Sequence, residues 1–283
     1  MEKPRAALWL WYRGDRFAGF QAGGGGPGER TVGASLQDAL RRAGARDVVM
    51  AAGRTDRGVH ARMQVVSVRT SPEVAQTLAF APGDESDAMG VALAVRHAPS
   101  FHALWSAKGR TYRYRLSLRD EEVCAEWAPF TWLPARECEP LRGLPLSADA
   151  FCEALRLLPG TRTFRAFHAA SSVEKPRTLH LAEVVRARDD GLMELEFAGD
   201  AFGRHQVREL VGACVAVAAG RATVDQLAAS LENAVPFPSL RAPAKGLVLW
   251  EVDYPLALDP FGQESLRREA EARLPDAPPF RAL

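Results

Sequence analysis

The segment Gly53-Arg54-Thr55-Asp56-Arg57-Gly58-Val59-His60 has the residue types of a working site. A carboxylate, Asp56, stands between two guanidinium groups, Arg54 and Arg57. Asp56 is a candidate nucleophile or base, and the two arginines are candidate phosphate ligands. The glycines let the backbone bend and let a substrate come close. Loops of this kind between strands are where a rigid scaffold holds catalytic groups. The same residues also make an ordinary Asx turn with solvated arginines, since Asp and Gly are common turn formers.

A second stretch runs from Phe101 to Arg119. It carries five cations, Lys108, Arg110, Arg113, Arg115 and Arg119, and no acid. If it is a strand, Tyr112 and Tyr114 share one face while Arg113 and Arg115 share the other. Aromatics that stack on bases, interleaved with arginines that neutralise phosphates, suit a single-stranded nucleic acid. The competing reading, tyrosines packed in a core, fits Tyr114 better than Tyr112. A third stretch, Asp200 to Gly212, would bury Val207, Leu210 and Val211 as one helical stripe with Arg208 beside it. A buried arginine there needs a carboxylate partner. Taken alone, Arg208 reads as a surface arginine whose stem covers apolar surface. The glycine run at 23–28 is followed by Glu29 and Arg30, not by the G-K-S/T ending of a phosphate-binding loop, so no nucleotide triphosphate is expected.

These residues need elements to position them. Ala6 to Tyr12 reads as a buried strand. Thr31 caps a helix over 32–43, with Val32, Leu36, Ala39, Leu40 and Ala43 on its apolar face. Val48–Ala51 and Gln64–Val68 are strands on either side of the Asp56 loop. Residues 71–91 are irregular, with a turn-prone PGDESD at 82–87, and Val91–Val95 is a further strand. Thr111–Leu118 restarts the pattern, followed by an irregular connection over 120–145. Ser147 caps a helix over 149–158, and 160–178 is a basic loop. Leu179–Ala187 and Leu192–Phe197 form a hairpin about Asp189-Asp190-Gly191. Helices over 202–219 and 223–232 and a strand over Gly246–Tyr254 complete the reading. A β-α-β-β pattern thus occurs before residue 70 and again between 110 and 197. It predicts an α+β protein with a mixed, mostly antiparallel central sheet built from two similar halves. The expected division is 1–105, 106–255 and a charged tail over 256–283 that is partly mobile.

The 283 residues are 47% apolar and 25% charged, the balance of a globular protein. With 36 basic and 35 acidic residues the net charge is +1, which excludes a strongly basic chain. Acids cluster at 84–87, 120–122, 137–139 and in the tail, so a basic cleft on a neutral protein is the expectation. Salt-dependent binding would then rest on a limited set of phosphates. Cys124, Cys138, Cys152 and Cys214 form no C-x-x-C pair and have no His at zinc spacing, which predicts reduced thiols and no metal. The apolar runs Ala6–Tyr12 and Val211–Ala219 are too short for a membrane span or a signal peptide, and a cytoplasmic protein is expected.

Five segments, in order, resemble the TruA family of tRNA pseudouridine synthases across about residues 6–254. Tyr12-Arg13-Gly14-Asp15-Arg16-Phe17-Ala18-Gly19-Phe20-Gln21 is similar to the family's Y-x-G-x-x-F/Y-x-G-W/F-Q segment. Residues 53–60 match its G-R-T-D-x-G-V-H box in full. Arg110, Tyr112 and Tyr114 match its R-x-Y-x-Y strand. Phe202, Val207, Arg208, Leu210, Val211 and Gly212 match its helix, and Gly246 to Tyr254 its closing G-L-x-L-x-x-V-x-Y strand. The resemblance implies the pseudouridine synthase fold and isomerisation of uridine to pseudouridine in tRNA, usually at positions 38, 39 and 40, with no cofactor, metal or nucleotide consumed. It implies a homodimer in which each tRNA touches both subunits.

Carried over residue by residue, Asp56 is the essential aspartate, acting as nucleophile at C1′ or as base on the sugar. Arg208 pairs with it and keeps it charged, which reverses the surface reading above. Tyr112 stacks on the target base, and Arg54 helps push the target nucleotide out of its stack. Arg57, His60, Arg110 and Leu247 are the further substrate-binding positions. The chain departs from the family in four places: no N-x-x-L-P within 85–95, Leu104 where an arginine follows F-H-A, Gly33 where glutamine is common, and the glycine-rich 22–28 loop. These changes leave room for a paralogue acting at another RNA position. The rivals are a catalytically silent tRNA-binding relative and, on Asp56 alone, a hydrolase. No second carboxylate is positioned near the box to serve a hydrolase.

Overall fold

The computed structural model describes residues 5–21, 29–80, 87–121, 123–169 and 175–283. The expected glycine loop and nearly all of the PGDESD turn lie outside these. The strands are β1 (Ala6–Tyr12), β2 (Arg46–Ala51), β3 (His60–Arg69), β4 (Met89–Arg96), β5 (Gly109–Ser117), β6 (Gly160–Arg162), β7 (Arg177–Ala187), β8 (Leu192–Gly199) and β9 (Leu247–Asp253). The α-helices are α1 (Val32–Arg42), α2 (Pro72–Gln76), α3 (Pro134–Glu137), α4 (Ala148–Arg156), α5 (Gln206–Ala218), α6 (Val224–Asn233) and α7 (Glu264–Glu271). The protein is therefore α+β, with mostly antiparallel pairing, as expected.

The chain divides into two compact units, one of Met1–Gly109 with Val248–Ala282, the other of Arg110–Leu247 with Leu283. The expected division differs from this chiefly in assigning the last strand to the second half. In the first unit β1 lies between β4 and β3, antiparallel to both, and β2 pairs with the other edge residues of β3. At His60 and Ala61, β3 also pairs parallel with β9. β1 is buried on both faces, which is why its sequence is a continuous apolar run and not an alternating one. β3 begins at His60, four residues before the expected start, and it too is covered on both faces over most of its length. α1 starts where expected: the Thr31 hydroxyl accepts the Ala34 N–H, and Val32, Leu36, Ala39 and Leu40 are buried. The short α2, capped by Ser71, falls in the stretch expected to be irregular. The tail is not peripheral. Phe261 meets Trp9 edge-on at 5.7 Å, Phe280 meets Trp11 at 5.3 Å, and Phe261, Ala270 and Phe280 are all buried.

In the second unit the sheet order is β5-β8-β7-β6, with every neighbour antiparallel. The β7–β8 hairpin turns at Gly191 with φ +81°, as its Asp-Asp-Gly signal requires. Part of the expected basic loop is ordered as β6 and as a 3-10 turn over Arg165–Phe167. α5 begins at Gln206, not 202. His205 has φ +66°, and the Gln206 side chain accepts the Gly203 N–H, which ties the approach to the helix onto its first residue. α5 is buried on nearly every face, whereas α6 is amphipathic and opens on a full Thr223/Gln226 capping box. The expected repeat is visible in the pairing. β1 pairs with β3 and β3 with β2, with α1 after the first strand. β5 pairs with β8 and β8 with β7, with α4 after the first strand.

Candidate active site

The Asp56 loop connects β2 to β3, and neutral hydrogen bonds from below fix its backbone. The Tyr12 hydroxyl at the end of β1 lies 2.8 Å from the buried Thr55 hydroxyl. Gln64, fully buried in β3, donates its amide to the Gly53 carbonyl at 2.8 Å and reaches the Tyr12 hydroxyl at 3.4 Å. Phe20 N–H donates to the Thr55 carbonyl, and Val59 N–H donates to the Asp56 carbonyl, closing the turn. A second chain segment is threaded against the loop. A Cβ on Gly14 would stand 2.1 Å from the Val59 carbonyl oxygen. Gly19, at φ +105°, lies against the Thr55 and Asp56 backbone. Both glycines belong to the segment that resembles the family's first motif.

Asp56 is half-buried at the tip of this loop, between the exposed Arg54 and Arg57. Arg57 donates to both oxygens of Glu29, at 2.5 and 2.6 Å, which raises its pKa. Arg54 has no hydrogen-bond or ion-pair partner among the described residues, so its charge is open to an anion. His60 corrects one expectation. Its side chain is fully buried, and its Nδ1 accepts the Gly14 N–H at 3.0 Å. A ring nitrogen that accepts a backbone N–H carries no proton of its own. His60 ties Gly14 to the loop and has no surface to offer a substrate. Asp15 stands 3.8 Å from the ring and is ion-paired to Arg13.

The remaining expected residues belong to the second unit. Tyr112, half-buried, meets Phe202 edge-on at 5.1 Å, and Arg110 donates to the Asp200 carbonyl at 3.0 Å. The start of β5 is thus held against the segment leading into α5. Arg208, on the first turn of α5, donates its Nε to the Ala242 carbonyl at 2.7 Å, while Ala242 N–H donates back to the Arg208 carbonyl. Tyr114 is core: it donates to the Pro243 carbonyl and crosses Trp132 edge-on. Burial pushes its phenol well above the ordinary value, with Arg208 nearby opposing. Leu247, the first residue of β9, is also buried.

The expected basic strand is corrected most. Arg115 and Glu194 are both completely buried and ion-paired at 2.7 Å, and Arg115 lies over the Trp127 ring. Arg113 bonds to Glu194 and Glu196, each at 3.0 Å. These are cross-strand neighbours, Arg115 opposite Glu194 and Arg113 opposite Glu196. Burial lowers the Arg115 guanidinium to about 10, with Glu194 acting in the opposite sense, so it stays charged at neutral pH. Two of the five cations counted between 101 and 119 are therefore internal structure. Sequence reasoning also passed over Tyr12, Thr55 and Gln64 as a unit. A polar Gln64 opening an otherwise apolar strand was the available signal.

A family model for tRNA pseudouridine synthase matches residues 154–255. Curated relatives cover far more. A tRNA pseudouridine synthase A of Neisseria gonorrhoeae (strain ATCC 700825 / FA 1090) is 36% identical over 90% of this chain and 93% of its own. That of Geobacillus sp. (strain WCH70) is 33% identical over 87% and 96%. The solved Cbf5-Nop10-Gar1 complex is matched at a TM-score of 0.34 and 9% identity, over 75% of this chain and 54% of that one, a likeness too loose to bear on the fold. With a third of its residues identical to such relatives along almost their full length, the chain belongs to the tRNA pseudouridine synthase A family.

Proposed function

We propose that this protein is an isomerase that converts uridine to pseudouridine in tRNA, with Asp56 as its essential carboxylate. The observation that carries the reading is the complete G-R-T-D-x-G-V-H box, folded as a braced loop with Asp56 at its tip, in a chain of this family. The reaction breaks the bond from N1 to C1′ and forms one from C5 to C1′. The proton lost at C5 is matched by one gained at N1, so no oxidant, reductant or nucleotide is called for. Asp56 must be ionised to act as nucleophile at C1′ or as base on the sugar. The loop's rigid backbone supports either role, because a positioned group loses little freedom on the way to the transition state.

Tyr112 is proposed to stack on the target base, and Arg208 to serve the same reaction by favouring the ionised aspartate. Arg54 is proposed to bind a phosphate as the target nucleotide leaves its stack. The proposed targets are uridines 38–40 of the anticodon stem-loop, acted on by a homodimer in the cytoplasm. No helix among the described residues is long and apolar enough to cross a membrane.

The test is pseudouridine formation on unmodified tRNA transcripts by the wild type, Asp56→Ala and Arg208→Met. Asp56→Ala is expected to make no pseudouridine while keeping its affinity for tRNA. Turnover in that variant overturns the assignment of Asp56. Arg208→Met is expected to be slower and less stable than the wild type. Pseudouridine mapping of cellular tRNA with and without the gene settles position: marks lost outside 38–40 identify a paralogue. A wild type that binds tRNA and modifies none identifies a silent relative.

A further inference from the structure

The turn Phe101–Ser106 in the first unit presents Leu104 and, most of all, Trp105 outward. Trp105 is 79% exposed, and it is the one aromatic among the large apolar side chains that are exposed in the described residues. Its position is nonetheless held. His102 stacks on the indole with ring centroids 4.1 Å apart and planes 12° from parallel. The His102 ring is fixed in turn, because its Nδ1 accepts the N–H groups of both Leu104 and Trp105 at 3.2 Å. Ser106 closes the turn on both sides: its hydroxyl accepts the His102 N–H, and its own N–H donates to the His102 carbonyl.

Below the turn, Phe101 and Ala103 are buried. Tyr254 donates to the Ala103 carbonyl at 2.7 Å and packs against Phe101 at 5.0 Å. An indole held this firmly in water loses conformational freedom and gains no core burial in return. The local sequence is basic, and from β9 the Asp253 carbonyl accepts the Lys108 backbone N–H at 2.8 Å. No acid occurs between Asp87 and Asp120, and Lys108, three residues on, is exposed with its ammonium unpartnered among the described residues.

We propose that Trp105, backed by His102, is a stacking platform for an unpaired base of the RNA substrate, with Lys108 taking an adjacent phosphate. The proposal rests on the reading of the protein as a tRNA-modifying enzyme. An exposed planar ring with one face supported accepts any base by stacking, and a neighbouring cation selects a polyanion over a neutral partner. The residue just before it, Leu104, stands where the family resemblance leads one to expect an arginine.

The experiment compares wild type, Trp105→Ala and Trp105→Phe on an unmodified tRNA transcript. It reads the Kd by filter binding, KM and kcat by pseudouridine formation in the tRNA, and oligomeric state by light scattering, with melting curves to show that each variant is folded. Trp105→Ala is expected to raise Kd and KM together, roughly 5- to 100-fold, the range of one base stack, while kcat stays within about twofold. Trp105→Phe is expected to recover most of the loss. An unchanged Kd in folded Trp105→Ala overturns the proposal. So does a change of oligomeric state on substitution, which would make the indole a contact between two copies of the chain. If the wild type forms no pseudouridine in any tRNA, the functional reading has failed, and the Kd comparison still judges the platform.

Discussion

Arg54 and Arg115 are the same residue type in two segments of similar charge density, and the structure treats them oppositely. Around Asp56 the forces that hold the loop are neutral. Tyr12 to Thr55 and Gln64 to the Gly53 carbonyl are uncharged hydrogen bonds, and the ionised groups face outward. On β5 the ions are themselves the internal structure, with Arg115 and Glu194 wholly enclosed and Arg113 bridging Glu194 and Glu196. Charge available for chemistry is thus held by groups that carry none, and charge spent on holding strands in register is lost to the surface. Counting arginines along the chain cannot separate the two, because the deciding partners lie about 80 residues away.

The contrast can be broken most forcefully at Glu194. Glu194→Ala leaves Arg115 enclosed and unpaired, and urea unfolding is expected to show a loss of about 3–5 kcal/mol. A loss under 1 kcal/mol would mean that the ladder does not hold the strands. Next comes Gly14→Ala, where the added Cβ meets the Val59 carbonyl; a loss of up to about 3 kcal/mol is expected, with the pseudouridine-forming rate falling as the loop shifts. An unimpaired rate in this variant would uncouple the Gly14 segment from Asp56.

Tyr12→Phe removes one hydroxyl from the neutral network and strands the buried Thr55 hydroxyl. It should cost about 1–2 kcal/mol in stability and lower kcat more than it alters KM. A pure KM effect would place Tyr12 in substrate binding. The smallest effect belongs to the exposed rim. Burial raises the Asp15 carboxyl, but the hydrogen bond from Arg13 and the charges of His60, Arg13 and Arg16 outweigh that and hold it below its ordinary value. A depressed carboxylate stabilises the fold above its unfolded pKa of about 3.9, and the contribution vanishes as pH falls through the lower folded value. Asp15→Asn should therefore cost a few tenths of a kcal/mol at pH 7, screened as such surface pairs are, and nothing in strong acid. A variant that differs from the wild type equally at both pH values would assign the effect to packing.

Much of the fold was legible because its signals are local. Thr31 and Ser147 cap the helices they were expected to cap, and Asp-Asp-Gly makes the hairpin turn. The helix α5 starts four residues past the expected position because the chain turns through a left-handed φ at His205, which the pattern of apolar residues does not reveal. The tail was misjudged because Phe261 and Phe280 find Trp9 and Trp11, partners some 250 residues earlier. In the candidate site, the turn between two strands was legible from residue types, while Asp56 was singled out by the family resemblance. That His60 and Leu247 are buried was not legible, since each opens a strand whose covering partners lie far away in sequence.

The grouping of Val248–Ala282 with the first unit has a consequence in time. A ribosome delivers residues 110–247 as one uninterrupted length, so the second unit has all but one of its residues while β9 is still unmade. The first unit waits. Until β9 emerges, His60 and Ala61 at the foot of the Asp56 loop lack their strand partner, and until Phe261 and Phe280 emerge, Trp9 and Trp11 lack their cover. The unit synthesised first is the one completed last, so the nascent chain carries an unfinished apolar surface through most of its synthesis.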